Sequence, residues 1–199
     1  MNLVNVWPVT SLARWLARAE PPKAAELIFV LAGRQHRKSY ALDLYQRGYA
    51  PRLLLSVGRF EIRRFALLPL RARVPLLETA AAIPAPERHF FVCVEGDRAA
   101  IEAVPWERLG TLREIRALGR WLRARPEITS LLVITSGVHV RRVRWCCRAL
   151  LPGRVAVAVT TAPNPAGDTH EPRDSIFKEF VKLIAYGFYL PLQRRTRSS

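Results

Sequence analysis

Lysine is scarce in this chain of 199 residues: of its 32 basic side chains only Lys23, Lys38, Lys178 and Lys182 are lysines. Cysteine is scarcer. Cys93 stands alone and Cys146 and Cys147 are adjacent, which gives no disulfide framework and no CxxC pair. The four histidines, His36, His89, His139 and His170, fall at no metal-ligand spacing with them, so no metal site is expected. A reduced, cytoplasmic setting is the simplest reading. The opening MNLVNVWPVTSLARWLARAEPP lacks the basic start and long apolar core of a signal peptide. No stretch reaches the roughly 18 to 20 apolar residues of a membrane span. Three fingerprints are also missing. LAGRQHR follows the first apolar run where GxGxxG would stand, and neither GxxxxGK[ST] nor GxSxG occurs. A standard nicotinamide or flavin site is therefore not expected, and the sequence assigns no cofactor.

With 50% hydrophobic and 24% charged residues, the chain can bury one sizeable core. The expectation is a single domain over 1–199, with a helical lead-in over 1–24, a C-terminal helix over 173–192 and a basic tail over 193–199. The net charge of +16 suits an anionic partner, whether phosphorylated ligand, acidic membrane or nucleic acid. An arginine- and alanine-heavy coding bias explains the same charge with no partner at all.

Five apolar runs read as strands: ELIFVLAG (26–33), RLLLSVG (52–58), HFFVCVEG (89–96), SLLVITSG (130–137) and RVAVAVTT (154–161). Almost none alternates with polar residues, the pattern of parallel strands covered on both faces. Helical spacing is read over 35–48, closing on Gly48, and over 108–125, stopped by Pro126. It is read again over 138–151 and 173–188. In 108–125, Leu112, Ile115, Leu118 and Leu122 share one face, and Arg113, Arg116, Arg120 and Arg123 another. The alternation predicts a three-layer, Rossmann-like α/β domain with a mainly parallel sheet of about five strands. Residues 67–88, with Pro69, Pro75, Pro84 and Pro86, read as a surface excursion that could hold one short extra strand.

In open parallel sheets ligands bind outside the carboxyl ends of the strands. That rule selects Gly33, Arg34 and Arg37 after the first strand, Ser56, Gly58 and Glu61 after the second, and Glu95 at the end of the third. Thr135, Ser136, His139, Arg141 and Arg142 follow the fourth. Thr135-Ser136-Gly137 opens a helix, whose dipole and free N–H groups favour an anion, and His139 is placed for acid–base work. Glu61 and Glu95 are the carboxylates expected to orient it, or to form structural ion pairs instead. Ser136 could equally be only an N-cap.

Two segments carry a resemblance: LAGRQHR…ALDLYQRGYAPRLLLSVGRFE (31–61) and VITSGVHVRRVRWCCRALLP (133–152). They resemble the YdcF/SanA/ElyC-like family, a bacterial domain of unknown function. Arg37, Ala41, Leu44, Tyr45, Gly48, Ala50, Pro51, Ser56, Gly58, Glu61, Thr135, Ser136, His139 and Arg142 fit its pattern. IFKEFVKLIAYGFYL (176–190) is similar to the Glu-x-x-Lys-Leu close of some members. Two departures stand out. The family's Ser-Gly-Gly is Ser56-Val57-Gly58 here, and of its Ser-x-Asn-Thr-x-Glu-Asn block only Thr111 keeps its place, with Glu114 displaced by one. The resemblance implies a Rossmann-like fold, a pocket at the strand ends and, for some relatives, a role in cell-envelope biogenesis; it implies no agreed reaction.

The combined expectation is a small anionic, phosphorylated or nucleotide-like ligand, clamped by Arg34 and Arg142 and met by the Ser136–Gly137 backbone. His139 would act as acid or base, in hydrolysis or transfer. The alternative is peripheral binding to the inner face of a membrane, or to nucleic acid, through arginine-rich faces. Nucleic acid is disfavoured, because no recognised motif occurs and aromatics do not interleave the basic runs. Oligomeric state is left open.

Overall fold

Each residue of the run Leu27–Val30 is fully buried, as a strand covered on both faces must be. It forms β1 in a sheet with β2 (Arg52–Gly58), β3 (His89–Glu95), β4 (Arg98–Ala103), β5 (Ser130–Thr135) and β6 (Ala156–Thr161). The computed structural model describes residues 7–105, 110–163 and 176–186. The strand order is β4-β3-β2-β1-β5-β6. β1 pairs in parallel with β2 and β5, and β5 with β6, while β3 is antiparallel to both β2 and β4. The α/β, Rossmann-like class is as expected.

Its sixth strand is β4, and it does not fall in 67–88. That segment instead holds the short helix α4 (Leu76–Ala81) and a 3₁₀ turn, after α3 (Ile62–Phe65). Gly96-Asp97 forms a two-residue hairpin loop between the paired Glu95 and Arg98. Gly96 takes φ +57 at the first loop position, where type II′ hairpins place glycine.

Alternation along each strand divides the core between two layers. Ile28, Val30, Leu53, Leu55 and Val57 pack with Ala41, Leu42 and Leu44 of α2 (Gln35–Gln46), and with Phe65 and Leu76. Leu27, Phe29, Leu54, Leu131 and Val133 face α5 (Gly110–Arg123) and α6 (Val140–Leu150) on the other side. The expected apolar stripe of α5 is buried, but its arginine stripe is broken. Arg113 lies inside and donates to the Val104 carbonyl, whereas Arg120 and Arg123 are exposed.

The end of α2 shows how local sequence fixes a boundary. Gly48 takes φ +79, its N–H donates to the Tyr45 carbonyl and Tyr49 N–H donates to the Leu44 carbonyl. That bond pair is a Schellman cap. α1 (Trp7–Leu16) and α7 (176–186) meet over the end of β5, where Leu16, Val138, Ile176 and Leu183 cluster. Among the described residues no helix is long and apolar enough to cross a membrane. The expected basic tail over 193–199 lies outside them.

Candidate functional site

Val30 of β1 pairs with Ile134 of β5, so the chain leaves both strands at the same level and then diverges, to α2 on one side and α6 on the other. This is the switch point of the sheet, where a crevice forms. The Ala32-Gly33-Arg34 turn and the Thr135-Ser136-Gly137 turn flank this point from adjacent strands. The first turn of α5 joins the groups on either side, through Glu114 and, one turn earlier, Thr111.

On the β1 and β2 side the backbone donors that an anion would use are already taken. Ala32 N–H donates to Glu114 Oε2 at 2.9 Å, and Gly33 N–H to Glu61 Oε1 at 2.7 Å. Glu61 also pairs with Lys38, whose side chain is fully buried. Beneath the turn, Arg37 donates to the Ala32 carbonyl at 3.1 Å. Gly33 has φ +135, a backbone conformation that favours glycine, and a Cβ there would press on the Arg37 guanidinium at 3.1 Å. Arg34, the next residue, is exposed.

Deeper in, the buried Ser56 hydroxyl lies 2.6 Å from His89 Nε2 and reaches Glu114 as well. Burial, then the charges of Arg113 and Lys38, push the His89 pKa down to about 3, so the ring is neutral. Burial pushes Glu114 up to about 7, against the opposing pull of the Ala32 N–H and the Ser56 hydroxyl. With Glu114 ionised, His89 Nε2–H donates to Ser56 and Ser56 donates to Glu114, satisfying all three.

On the β5 side Ser136 leads through a 3₁₀ turn, Gly137–His139, into α6. His139 Nδ1 lies 2.9 Å from Glu179 Oε2, on α7. Arg142 forms an ion pair with the same carboxylate, donates to Thr111 Oγ1 and lies over the Tyr186 ring. Burial alone would raise Glu179, but hydrogen bonds from His139 and Arg142, with their charges, outweigh it and hold its pKa at about 2. The Arg142 guanidinium lies 3.3 Å from the same His139 nitrogen. The shorter contact, to a carboxylate, makes Nδ1 the protonated nitrogen. Nε2 then has no partner among the described residues, on a side chain 28% exposed.

The structure thus brings Gly33, Arg37, Ser56, Gly58 and Glu61 to one wall, and Thr111, Thr135, Ser136, His139 and Arg142 to the other. Three expectations change. Glu95 lies at the opposite edge of the sheet, because β3 runs antiparallel, and there it pairs with Arg52 at 3.3 Å. The carboxylate that orients His139 is Glu179 rather than Glu61. Arg142, expected to clamp an anion, is turned inward onto Glu179 and is 7% exposed. Thr135 is likewise buried, and its hydroxyl has no hydrogen-bond partner among the described residues.

Lys38 and His89 carried no site expectation, while Glu114 and the Glu179 of the Glu-x-x-Lys-Leu close entered only through the motif resemblance, without these roles. Lys38 shares the inner face of α2 with Ala41 and Leu42, three and four residues on, which was a readable sign of burial. A cleft of about 380 Å³ opens away from these groups, between the end of α2, Leu70 and the Gly96-Asp97 turn. It contains none of the polar groups just described. Among the described residues no cluster of three or more His, Cys, Asp or Glu could hold a metal ion. Comparisons with protein-family models, curated proteins and solved structures found no match to this chain.

Proposed function

We propose that the protein binds a small anionic ligand, phosphorylated or nucleotide-like, at the carboxyl ends of β1 and β5, and that His139 carries the proton chemistry there. The observation behind this reading is the Glu179–His139 pair. A buried carboxylate on Nδ1 fixes the tautomer and the ring orientation and leaves Nε2 to meet a ligand. Arg34, exposed just beyond Gly33, supplies the positive charge, and Ser136 with the Gly137 backbone offers hydrogen bonds from the neighbouring strand. Glu61, Lys38 and Glu114 hold the β1 turn in shape and do not touch the ligand.

These parts suit hydrolysis or transfer at a phosphoryl group. His139 Nε2 takes a proton from the attacking water or hydroxyl and returns it to the leaving oxygen. The motif resemblance to YdcF/SanA/ElyC-like chains adds a proposed place in cell-envelope biogenesis. The test is a thermal-shift screen of the wild type and His139→Ala against inorganic phosphate, nucleotides, sugar phosphates and isoprenoid phosphates. A compound that raises the wild-type midpoint and loses its effect in the variant supports the proposal, since only native-state binding raises it. No shift in the wild type, or equal shifts in both proteins, removes it.

A further inference from the structure

The segment that leaves β2 carries two of the most exposed apolar side chains described, Phe60 at 80% and Leu67 at 79%. They flank α3, whose own Ile62 and Phe65 point into the core. Arg59, Arg63 and Arg64 lie next to them in the chain, all exposed, and none forms an ion pair among the described residues. The lone carboxylate within 59–73, Glu61, is turned inward to Lys38 and Gly33. Its charge is therefore spent, and the outer surface is apolar tips ringed by unopposed guanidinium groups. Arg59 lies 4.4 Å over the Phe60 ring.

A second surface of the same chemistry belongs to α7. Its inner face is Ile176, Glu179, Leu183 and Tyr186, yet Phe177, Val181 and Ile184, spaced four and three apart, are 66%, 49% and 46% exposed. Exposed Lys178 and Lys182 flank that stripe. Glu179 ties α7 to the start of α6 beside the end of β5, and Phe60 follows the end of β2, so both surfaces border the carboxyl edge of the sheet.

We infer that this edge docks on an anionic phospholipid bilayer, with Phe60 and Leu67 entering the headgroup boundary and the surrounding arginines meeting lipid phosphates. Charge complementarity selects the occupant: a neutral partner leaves the arginines unanswered, and an aliphatic Leu67 offers nucleic acid no stacking face. The inference does not depend on the ligand proposed above.

The experiment is flotation of the full chain with vesicles of pure phosphatidylcholine, and of phosphatidylcholine mixed equally with phosphatidylglycerol, at physiological salt. The wild type is expected to float with the mixed vesicles only. Phe60→Ser with Leu67→Ser, both at exposed positions that leave the core intact, is expected to weaken binding by on the order of tenfold or more. Replacing Arg59, Arg63 and Arg64 by glutamine is expected to weaken it by on the order of a hundredfold. Failure of the wild type to float overturns the inference. So does flotation that the Phe60/Leu67 variant retains in full, which marks non-specific charge attraction. Retention of duplex DNA at physiological salt in place of vesicles overturns it in favour of nucleic acid, and self-association in their place assigns the surface to a second copy.

Discussion

Replacing Glu179 by glutamine removes one charge from the interior and leaves another behind. The Glu179 side chain is 1% exposed and that of Arg142 is 8% exposed, so the guanidinium loses its counter-charge where water cannot replace it. Breaking such a pair from one side costs about 3–5 kcal/mol. The pKa of Glu179 gives a second route to the size. Holding the carboxyl at about 2 rather than its ordinary 4.5 corresponds to on the order of 3 kcal/mol. A depressed carboxyl contributes stability that is fully present above pH 4.5 and is lost as pH falls toward 2. Urea unfolding of the wild type and Glu179→Gln from neutral to acid pH reads both quantities. The variant is expected to lose about 3 kcal/mol at neutral pH and to lack that share of the acid decline. Arg142→Met tested alone and with Glu179→Gln completes a cycle, and the double variant is expected to cost less than the sum of the singles. A loss below about 1 kcal/mol with an unchanged acid limb would instead place the pair in solvent.

Glu114 behaves with the opposite sign. Its pKa is raised to about 7, so stability falls as pH rises from 4.5 through 7, by on the order of 3 kcal/mol in total, and Glu114→Gln is expected to abolish that fall in urea unfolding across the window. Ser56→Ala leaves the buried His89 Nε2 and Glu114 short of a hydroxyl and is expected to cost about 1–3 kcal/mol in the same assay at neutral pH; a neutral result would mean the contact is not formed. Gly48→Ala meets no neighbouring atom within 4 Å, so its expected cost, about 1 kcal/mol by thermal or urea unfolding, comes from the positive φ alone.

The apolar runs made the parallel strands legible because burial on both faces leaves no polar alternation to confuse with a helix. β4 was missed for the converse reason: it is an edge strand whose Arg98, Ala100 and Glu102 are exposed, and apart from Ile101 its residues are small or charged. The Gly96-Asp97 dipeptide was its readable signal, a hairpin loop that turns the chain from β3 into β4; Glu95 lies at the far edge because the 59–88 connection returns β3 antiparallel to β2. His139, Ser136 and Gly33 follow directly from the strand ends. Their partners do not. Glu179 lies 37 residues beyond Arg142 and Glu114 lies 82 beyond Ala32, on helices whose periodicity announces a buried face but not which polar side chain reaches back from it. Arg142 looked like an anion clamp because sequence shows the charge and hides the carboxylate that neutralises it.

The proposed site turns on His139 meeting an anionic ligand through Nε2 while Glu179 holds Nδ1. Long-range proton–nitrogen correlation of the imidazole reports both ring nitrogens directly. The expected results are a proton on Nδ1, facing Glu179, and movement of the Nε2 resonance when the compound that stabilises the protein in the thermal-shift screen is added. A proton found on Nε2 with Nδ1 bare, or a ring indifferent to every phosphorylated compound tested, would contradict it.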